Sequence, residues 1–181
     1  MTDLFQLAAS LSDAGGDAPL PVERWHPAHC GSMDLVIKAD GSWWHEGTPM
    51  TRAPLIRLFS RVLRKDDDGY VLVTPAEKIS ITVEDVPFLA VDFDIEGDDW
   101  IFRTNVGDVV RLDTDHPLEL RSSPSIGQRA PYIRVRGGLD ARLDRPVYYR
   151  MVDALEADDE TDTLTVESGG ASFVLPITED S

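Results

Sequence analysis

Residues 51–74 read TRAPLIRLFSRVLRKDDDGYVLVT, and residues 144–167 read DRPVYYRMVDALEADDETDTLTVE. The two stretches align without a gap at an offset of 93 positions, which matches two arginines of one with two of the other and aligns Asp66-Asp67 with Asp159-Glu160. Self-similarity at a fixed offset is the signature of a structural repeat. We therefore interpret the two stretches as copies of one unit.

Each stretch opens with the pattern of an amphipathic helix. Apolar residues recur at spacings of three and four positions, which places them on one face of a helix. Thr51 and Asp144 are suitable N-caps, and Pro54 and Pro146 fall in the first turn, where the missing N–H is tolerated. The sequence therefore predicts one helix after each cap. The apolar positions are Leu55, Leu58, Phe59, Val62 and Leu63 in the first copy and Tyr148, Met151, Val152 and Leu155 in the second.

Short β-rich runs follow each predicted helix. They are residues 70–74 and 78–83 in the first copy and residues 163–167 and 171–175 in the second. Between the copies, residues 86–111 alternate apolar with polar side chains and contain two glycine turns, which is typical of a β-meander. We therefore expect an α+β fold in which a β-meander joins two duplicated helix-plus-antiparallel-hairpin units.

This interpretation divides the chain into four segments. Pro124 and Gly127 interrupt the pattern near the last boundary, so residues 122–130 are predicted to form a linker. The expected segments are an N-terminal helix and linker (1–30), a first α+β repeat unit (31–82), the β-meander (83–121) and a second α+β repeat unit (122–181).

Composition excludes several classes of function. The 181 residues include 17 basic and 33 acidic side chains, for a net charge of −16, which argues against binding to nucleic acid or to an anionic membrane. The single cysteine, Cys30, cannot form an internal disulfide, which favours a reducing compartment. No apolar run is long enough to span a membrane, and the first residues lack the basic region of a secretory signal. We expect an acidic cytoplasmic protein.

The basic residues are concentrated in two segments. Residues 52–65 contain five basic side chains and no acid, and residues 121–150 contain seven against two acids. Arg57, Arg61 and Arg64 are spaced to lie on one side of the first helix. If the two copies face each other across a pseudo-twofold axis, their equivalent arginines line a shared cleft for a small anion, because guanidinium groups bind carboxylates and phosphates bidentately. The alternative is that the basic faces neutralise acids elsewhere in the protein or in a dimer partner. The predicted anion contacts are Arg52, Arg57, Arg145 and Arg150.

Other candidate groups are sparser. Trp43 and Trp44 follow an Asp-Gly turn, and we expect them to form an aromatic wall for a ligand, with a sheet-edge contact as the alternative. His26, His29 and Cys30 are clustered, but no second cluster lies at zinc-finger spacing. The sequence contains no Walker loop, dinucleotide-binding glycine motif or nucleophile elbow. We therefore predict no metal, no cofactor and no catalytic residue.

Several segments together resemble a proteobacterial family, domain-of-unknown-function family 1285. They are Asp40-Gly41-Ser42-Trp43, the run YVLVTPAEK at 70–78 and the run VEDVPF at 83–88. The resemblance extends over most of the chain from about Pro21 onward. It implies a two-part α+β structure with repeated motifs and a role in ligand binding or signal transduction, and it carries over no catalytic residue.

These observations favour a non-enzymatic bacterial protein that binds a small anionic ligand in an arginine-lined cleft and acts in signalling or regulation. One alternative is a small hydrolase or isomerase acting on an anionic metabolite, with His45, Glu77 or Glu84 as the base. Another is a homo-oligomeric interaction protein whose basic faces meet acidic faces of a second copy. The expected partners are thus a small anion or a protein, including a homodimer, and neither nucleic acid nor membrane.

Overall fold

The computed structural model describes residues 3–11, 16, 18, 20–155, 157–158 and 160–176. The fold is mixed α+β and mostly sheet, which confirms the predicted class. The chain folds as two compact units, Met1–Glu84 and Asp85–Ser181. The sequence-based division into four segments stays a prediction. None of the described helices is long and apolar enough to span a membrane.

The described part of the first unit is built on a six-stranded sheet with two α-helices and a one-turn 3-10 helix at Val22–Arg24. Its strand order is β3-β2-β1-β6-β5-β4, and the central pair, β1 with β6, is parallel while the other pairs are antiparallel. The helix α1 buries three leucines on one face. The elements are α1 (Leu4–Leu11), β1 (His29–Ile37), β2 (Trp43–His45), β3 (Thr48–Pro49), α2 (Ala53–Ser60), β4 (Leu63–Asp66), β5 (Gly69–Val73) and β6 (Lys78–Val83).

Helix α2 is shorter than its apolar pattern predicts. Its N-cap is Arg52, not Thr51, although Pro54 does lie in the first turn as expected. The helix ends at Ser60, and Leu63 already pairs with Leu72 in the sheet. Leu63 is 1% exposed. Its apolar side chain, which the helical spacing assigns to α2, is thus buried in the sheet.

The predicted row of arginines along α2 is therefore wrong beyond Arg57. Arg61 follows the helix, is 8% exposed and donates from Nε to the carbonyl of Ala18 at 2.9 Å. Arg64 lies in β4 and donates to the carbonyls of Val22 and Trp25 at 2.8 and 2.7 Å. These two side chains hold the segment that precedes β1 against the rest of the first unit.

The carboxylate of Asp66 makes this unit sensitive to acid. Arg64 donates to Asp66 from Nε at 2.6 Å and Lys78 donates at 3.2 Å, and these contacts, led by the Arg64 hydrogen bond, hold the pKa of Asp66 below its usual value. A carboxyl whose pKa is lower in the folded state stabilises the fold above its unfolded pKa, and this contribution is lost as the pH falls through the folded pKa.

We expect Asp66→Asn to lower the urea midpoint at pH 6 and to reduce its decline between pH 6 and pH 3. Asp67→Asn in the adjoining exposed turn gives the same change of charge and should follow the wild-type decline. Equal declines in wild type and Asp66→Asn would show that the carboxylate does not contribute to acid sensitivity.

The second unit contains another six-stranded sheet, with the order β10-β11-β12-β7-β8-β9. Its central pair, β7 with β12, is again parallel. Helix α3 and a separate three-stranded antiparallel sheet follow. The elements are β7 (Phe88–Glu96), β8 (Asp99–Thr104), β9 (Val109–Arg111), β10 (Leu118–Ser123), β11 (Gln128–Arg136), β12 (Leu139–Leu143), α3 (Arg145–Ala154), β13 (Ala157–Asp158), β14 (Thr163–Ser168) and β15 (Ala171–Pro176).

Two sequence predictions meet different outcomes in this unit. The expected meander over residues 86–111 is confirmed as the antiparallel strands β7, β8 and β9. The linker predicted at residues 122–130 is wrong, because these residues form the tip of the antiparallel β10–β11 hairpin, where Ser122 pairs with Arg129 and Ser123 with Gln128. Pro124 and Gly127 belong to its turn.

The two halves share one sheet topology. In each half, three strands run from the centre to one edge, the chain crosses to the opposite edge, and three strands return to the centre. The first crossover contains α2, whereas the second, over residues 112–117, contains no helix. The likeness therefore relates the strands of residues 29–83 to those of residues 88–143.

The three-stranded sheet is attached to the large sheet of its own unit through the β14–β15 turn. Ser168, which is 3% exposed, accepts the backbone N–H of Trp100 at 2.9 Å and donates to the carbonyl of Leu112 at 2.7 Å. The N–H of Gly169 donates to Asp99 at 2.9 Å. This close approach fixes one end of the small sheet, and its other end, at Pro176, borders the cavity described next.

Candidate functional site

A groove of about 1040 Å³ lies within the second unit. It is bordered by the β10–β11 hairpin, the end of β12, the first turns of α3 and Pro176 at the end of β15. A volume of roughly 300–1,000 Å³ is typical of sites for drug-sized ligands. The groove therefore has room for a molecule larger than a simple inorganic anion.

Two guanidinium groups of the groove are available to a ligand. Arg145, the first residue of α3, is exposed, and its side chain makes no hydrogen bond or ion pair with the described part of the chain. Arg129, in β11, makes one long contact of 3.5 Å to the carbonyl of Leu120. Guanidinium groups are strong bidentate donors to carboxylates and phosphates, so each of these two side chains keeps donors for an anion without first breaking an ion pair with a described residue.

The acidic residue of the described lining is tied to the helix that follows it. Asp144 is the N-cap of α3, as predicted, and its carboxylate accepts the backbone N–H of Arg145 at 3.0 Å. Pro146 lies in the first turn, also as predicted. The cap and the proline together fix where α3 begins and thus hold Arg145 at the mouth of the groove.

The groove also has apolar walls. Tyr148 and Tyr149 of α3 have ring centroids 6.4 Å apart, and Tyr149 is 58% exposed. Ile126 at the hairpin tip is 36% exposed, and Pro124 and Pro176 complete this side. Burial, with a smaller contribution from Tyr149, raises the pKa of Tyr148, so this phenol stays neutral and can donate a hydrogen bond at neutral pH.

A buried polar network adjoins the groove through Arg142, which is part of the lining. Arg142 and Asp85, whose side chains are 10% and 7% exposed, form an ion pair at 2.7 Å. The Tyr132 hydroxyl donates to both oxygens of Asp85 at 3.0 and 3.1 Å. Ser123 reaches the lining from the hairpin, is 2% exposed, and its hydroxyl makes no hydrogen bond with any residue that the structure describes.

The groove passes around the end of the hairpin. Paired residues in an antiparallel ladder share a face, and successive residues alternate faces. The pair Ser122–Arg129 therefore lies on one face and the pair Ser123–Gln128 on the other, yet all four residues line the groove. A ligand that contacts both Arg129 and Ser123 must be elongated.

Of the two ligand contacts predicted in the second unit, one lies in the groove and the other does not. Arg145 lines the groove. Arg150, in the middle of α3, pairs with Asp92 at 2.7 Å and stacks over Phe93 at 4.7 Å, and it is not part of the lining.

The remaining predicted contacts belong to the first unit. Trp43 is 1% exposed and lies in the core, where it pairs with Ile37. Trp44 is covered by Lys38 at 3.7 Å and donates to Ser42 at 2.9 Å. Arg52 is exposed just before α2, and Arg57 is half-buried within it. A cleft shared by these arginines and those of the second unit stays a prediction.

The candidate bases of the enzymatic alternative also lie in the first unit. His45 pairs with Thr48 at the β2–β3 turn, Glu77 lies in the turn before β6, and Glu84 accepts the N–H of Ala39 at 2.8 Å. No group of three metal-ligating side chains occurs within the described ranges. The enzymatic and homo-oligomeric alternatives stay predictions.

Sequence reasoning missed most of the groove. The charge pattern identifies Arg129 only as one of the basic residues of the segment 121–150, and no motif points to Ser123, Ile126 or Tyr149. The signal was available in the alternation on both sides of residues 124–127, which favours a hairpin turn over a linker.

Comparisons with known proteins agree with this architecture. Residues 20–86 match the model of the DUF1285 N-terminal domain, and residues 87–175 match that of the DUF1285 C-terminal domain. No protein with a curated description matches the sequence.

Two solved structures are similar to the chain. A DUF1285 family protein from Silicibacter pomeroyi DSS-3 is 35% identical, with a TM-score of 0.87 over 99% of this chain and 97% of that one. A DUF1285 family protein from Shewanella baltica OS155 is 29% identical, with a TM-score of 0.54 over 67% of this chain and 92% of that one.

Proposed function

Because this chain belongs to the DUF1285 family, whose function is unknown, we propose its role from the groove itself: it binds an amphipathic organic anion and acts as a ligand-binding or regulatory protein. The observation that carries the proposal is the pair of available guanidinium groups, Arg129 and Arg145, in one groove of an acidic protein. A carboxylate, phosphate or sulfonate on the ligand would accept from them.

The charge of the protein supports selection for small anions. The net charge is −16, so a large polyanion is repelled by most of the surface, whereas a small anion is attracted by the local positive field of a groove. The apolar walls favour an organic body attached to the anion, since Tyr148, Tyr149 and Ile126 can cover it.

The proposal extends to a wider binding cleft and to a duplication of the helix-plus-hairpin unit. The wider cleft predicted from the sequence would add Arg52, Arg57 and Arg150 as anion contacts and Trp44 as a wall, whereas Trp43 is 1% exposed and lies in the core. The helix-plus-hairpin segments of the two halves would be repeats of one unit, which is supported by a first-turn proline and a following hairpin in both.

The fluorescent acid 8-anilinonaphthalene-1-sulfonate tests the groove, because it combines a sulfonate with aromatic rings. We expect the folded protein to bind it and the double variant Arg129→Gln/Arg145→Gln to bind it at least about tenfold more weakly, since charge-assisted hydrogen bonds contribute about 1.5–3 kcal/mol each. Titration of the fluorescence at low and moderate salt measures the Kd.

Matched controls separate the groove from general electrostatics. Arg24→Gln removes an exposed charge of the first unit and should leave the Kd unchanged. The double variant Arg52→Gln/Arg57→Gln tests the wider cleft, and a tenfold loss there would support it. Binding that survives Arg129→Gln/Arg145→Gln would contradict the proposed site.

A further inference from the structure

One flank of helix α3 faces the groove and places a guanidinium beside an aromatic ring. Arg145 and Tyr149 both line the groove and are four positions apart in the helix. Residues at this spacing lie one above the other on a helix, with their Cβ atoms roughly 5–6 Å apart. Tyr148, three positions after Arg145, lines the groove from the same flank. A ligand acid bound by Arg145 therefore meets an aromatic side chain within one turn of the helix.

The ring of Tyr149 is open to a ligand. The residue is 58% exposed, and its ring centroid lies 6.4 Å from that of Tyr148, with an angle of 31° between the planes. Ring pairs interact at centroid distances of about 4.5–7 Å, so this contact is near the outer limit of that range. Within the described part of the chain no cation lies over Tyr149, in contrast to Tyr132, which Arg121 covers at 4.0 Å. Most of the Tyr149 ring is thus left for a ligand.

The other walls of the groove do not distinguish one apolar body from another. Ile126 and Pro124 at the hairpin tip and Pro176 at the end of β15 offer aliphatic atoms. A hydrocarbon chain and an aromatic ring can both be buried against such atoms. Only an aromatic ring also gains the attraction between rings in offset or edge-to-face contact. Tyr149 is therefore the exposed group that can select the kind of apolar body.

We propose that the groove selects aromatic acids, in which a planar ring lies a few bonds from the acid group, over aliphatic acids of the same charge. Arg145 binds the acid, and the ring of the ligand packs on Tyr149 along the same flank of α3. This inference rests on the proposed function, since it assigns the apolar body of the same ligand. It excludes plain fatty acids as the preferred class.

A matched pair of acids tests the assignment. The probes 3-phenylpropionate and 3-cyclohexylpropionate have the same acid chain and charge, but only the first has a planar aromatic ring. The cyclohexyl ring is the more apolar of the two, so burial alone favours the cyclohexyl acid. We expect the wild-type protein to bind the phenyl acid about 2- to 10-fold more tightly, as an aromatic pair allows. Titration followed by NMR chemical shifts measures both Kd values.

Three variants assign the preference to one ring. Tyr149→Leu keeps a large apolar side chain without a ring, and it should bind the cyclohexyl acid as tightly as the phenyl acid or more tightly. Tyr149→Phe keeps the ring and should preserve the preference for the phenyl acid. Phe5→Leu removes a ring that is 68% exposed on α1 in the first unit and should leave both Kd values unchanged. Because Tyr149 is largely exposed, its two variants should fold with a Tm close to that of the wild type.

A neutral probe tests whether the ring and the acid bind in one site. The amide 3-phenylpropionamide keeps the ring of the phenyl acid without its charge. We expect it to bind the wild-type protein at least about tenfold more weakly than the acid, because it lacks the charge-assisted hydrogen bonds. The double variant Arg129→Gln/Arg145→Gln should weaken the acid and leave the amide unchanged.

The outcomes separate this inference from the proposed function. Arginine-dependent binding without a preference for the phenyl acid, or a preference that persists in Tyr149→Leu, would overturn the assignment of Tyr149 and leave the anion site standing. Failure of both acids to bind in an arginine-dependent manner would overturn the anion site and this inference with it.

Discussion

Asp85→Ala is expected to lower the free energy of unfolding by about 3–5 kcal/mol, the usual cost of removing one partner from a buried ion pair. The substitution leaves the guanidinium of Arg142 beneath the groove without its carboxylate and removes the acceptor of the Tyr132 hydroxyl. Both groups are largely excluded from water, so solvent cannot replace the lost contacts. Urea unfolding monitored by tryptophan fluorescence measures the change.

Two comparison variants define what the loss means. Asp92→Ala removes an acid of the same unit that pairs with Arg150 and Arg103, but this side chain is 47% exposed, so we expect a far smaller effect. Asp85→Asn keeps a hydrogen-bond acceptor for Tyr132 without the charge and should fall between the two. A loss below about 1 kcal/mol in Asp85→Ala would contradict a buried network.

Gly169→Ala is expected to destabilise the second unit by about 2–4 kcal/mol, as the sum of backbone strain and overpacking. The φ angle of Gly169 is +57°, and a Cβ there would meet Asp113 Cβ at 2.5 Å and the carbonyl of Leu112 at 2.8 Å. These neighbours belong to the attachment of the three-stranded sheet, so they cannot withdraw without breaking the hydrogen bonds of Ser168.

Gly170→Ala is the matched control for this prediction. Gly170 also has a positive φ, +75°, but a Cβ there would meet nothing within 4 Å. Gly170→Ala should lower the free energy of unfolding by about 1 kcal/mol, from backbone strain alone. Amide hydrogen exchange in β14 and β15 should accelerate strongly in Gly169→Ala and little in Gly170→Ala. Equal effects of the two variants would show that close approach does not fix the small sheet.

Local structure followed from the sequence where one residue type has a clear conformational preference. Asp144 and Pro146 predicted the start of α3, and the alternation over residues 86–111 predicted the meander. The end of α2 differs from the prediction because an apolar side chain at helical spacing, such as Leu63, is buried equally well in a strand. Spacing alone cannot distinguish these two environments.

The shared topology of the halves was harder to recognise. Trp43 pairs with Ile37 across the first hairpin, and Trp100 pairs with Ile95 across the corresponding hairpin of the second half. The glycine turns before these tryptophans were visible in the sequence. The helix α2 lengthens the first crossover only, so no fixed offset aligns the two sheets, and an ungapped comparison finds the helix–hairpin likeness instead.

The groove could not be predicted because its residues are brought together by topology. Arg129, Arg145 and Pro176 come from a hairpin, a helix and the edge of a separate sheet. The charge map indicated that residues 121–150 were basic, yet it could not show that Arg121 and Arg134 are paired with Asp140 while Arg145 is not paired with any described residue. Which arginines of this segment make an ion pair with a described residue, and which do not, is determined by the fold.

The parallel pair at the centre of each large sheet has a consequence for folding during synthesis. In both halves the first and sixth strands are neighbours, so the sheet joins its earliest strand to its latest one. One edge of β1 has no hydrogen-bonding partner until β6, which ends at Val83, has emerged from the ribosome. The same holds for β7 until β12, which ends at Leu143, has emerged. Contacts of such long sequence separation slow folding, and each half acquires a complete sheet only at the end of its own translation.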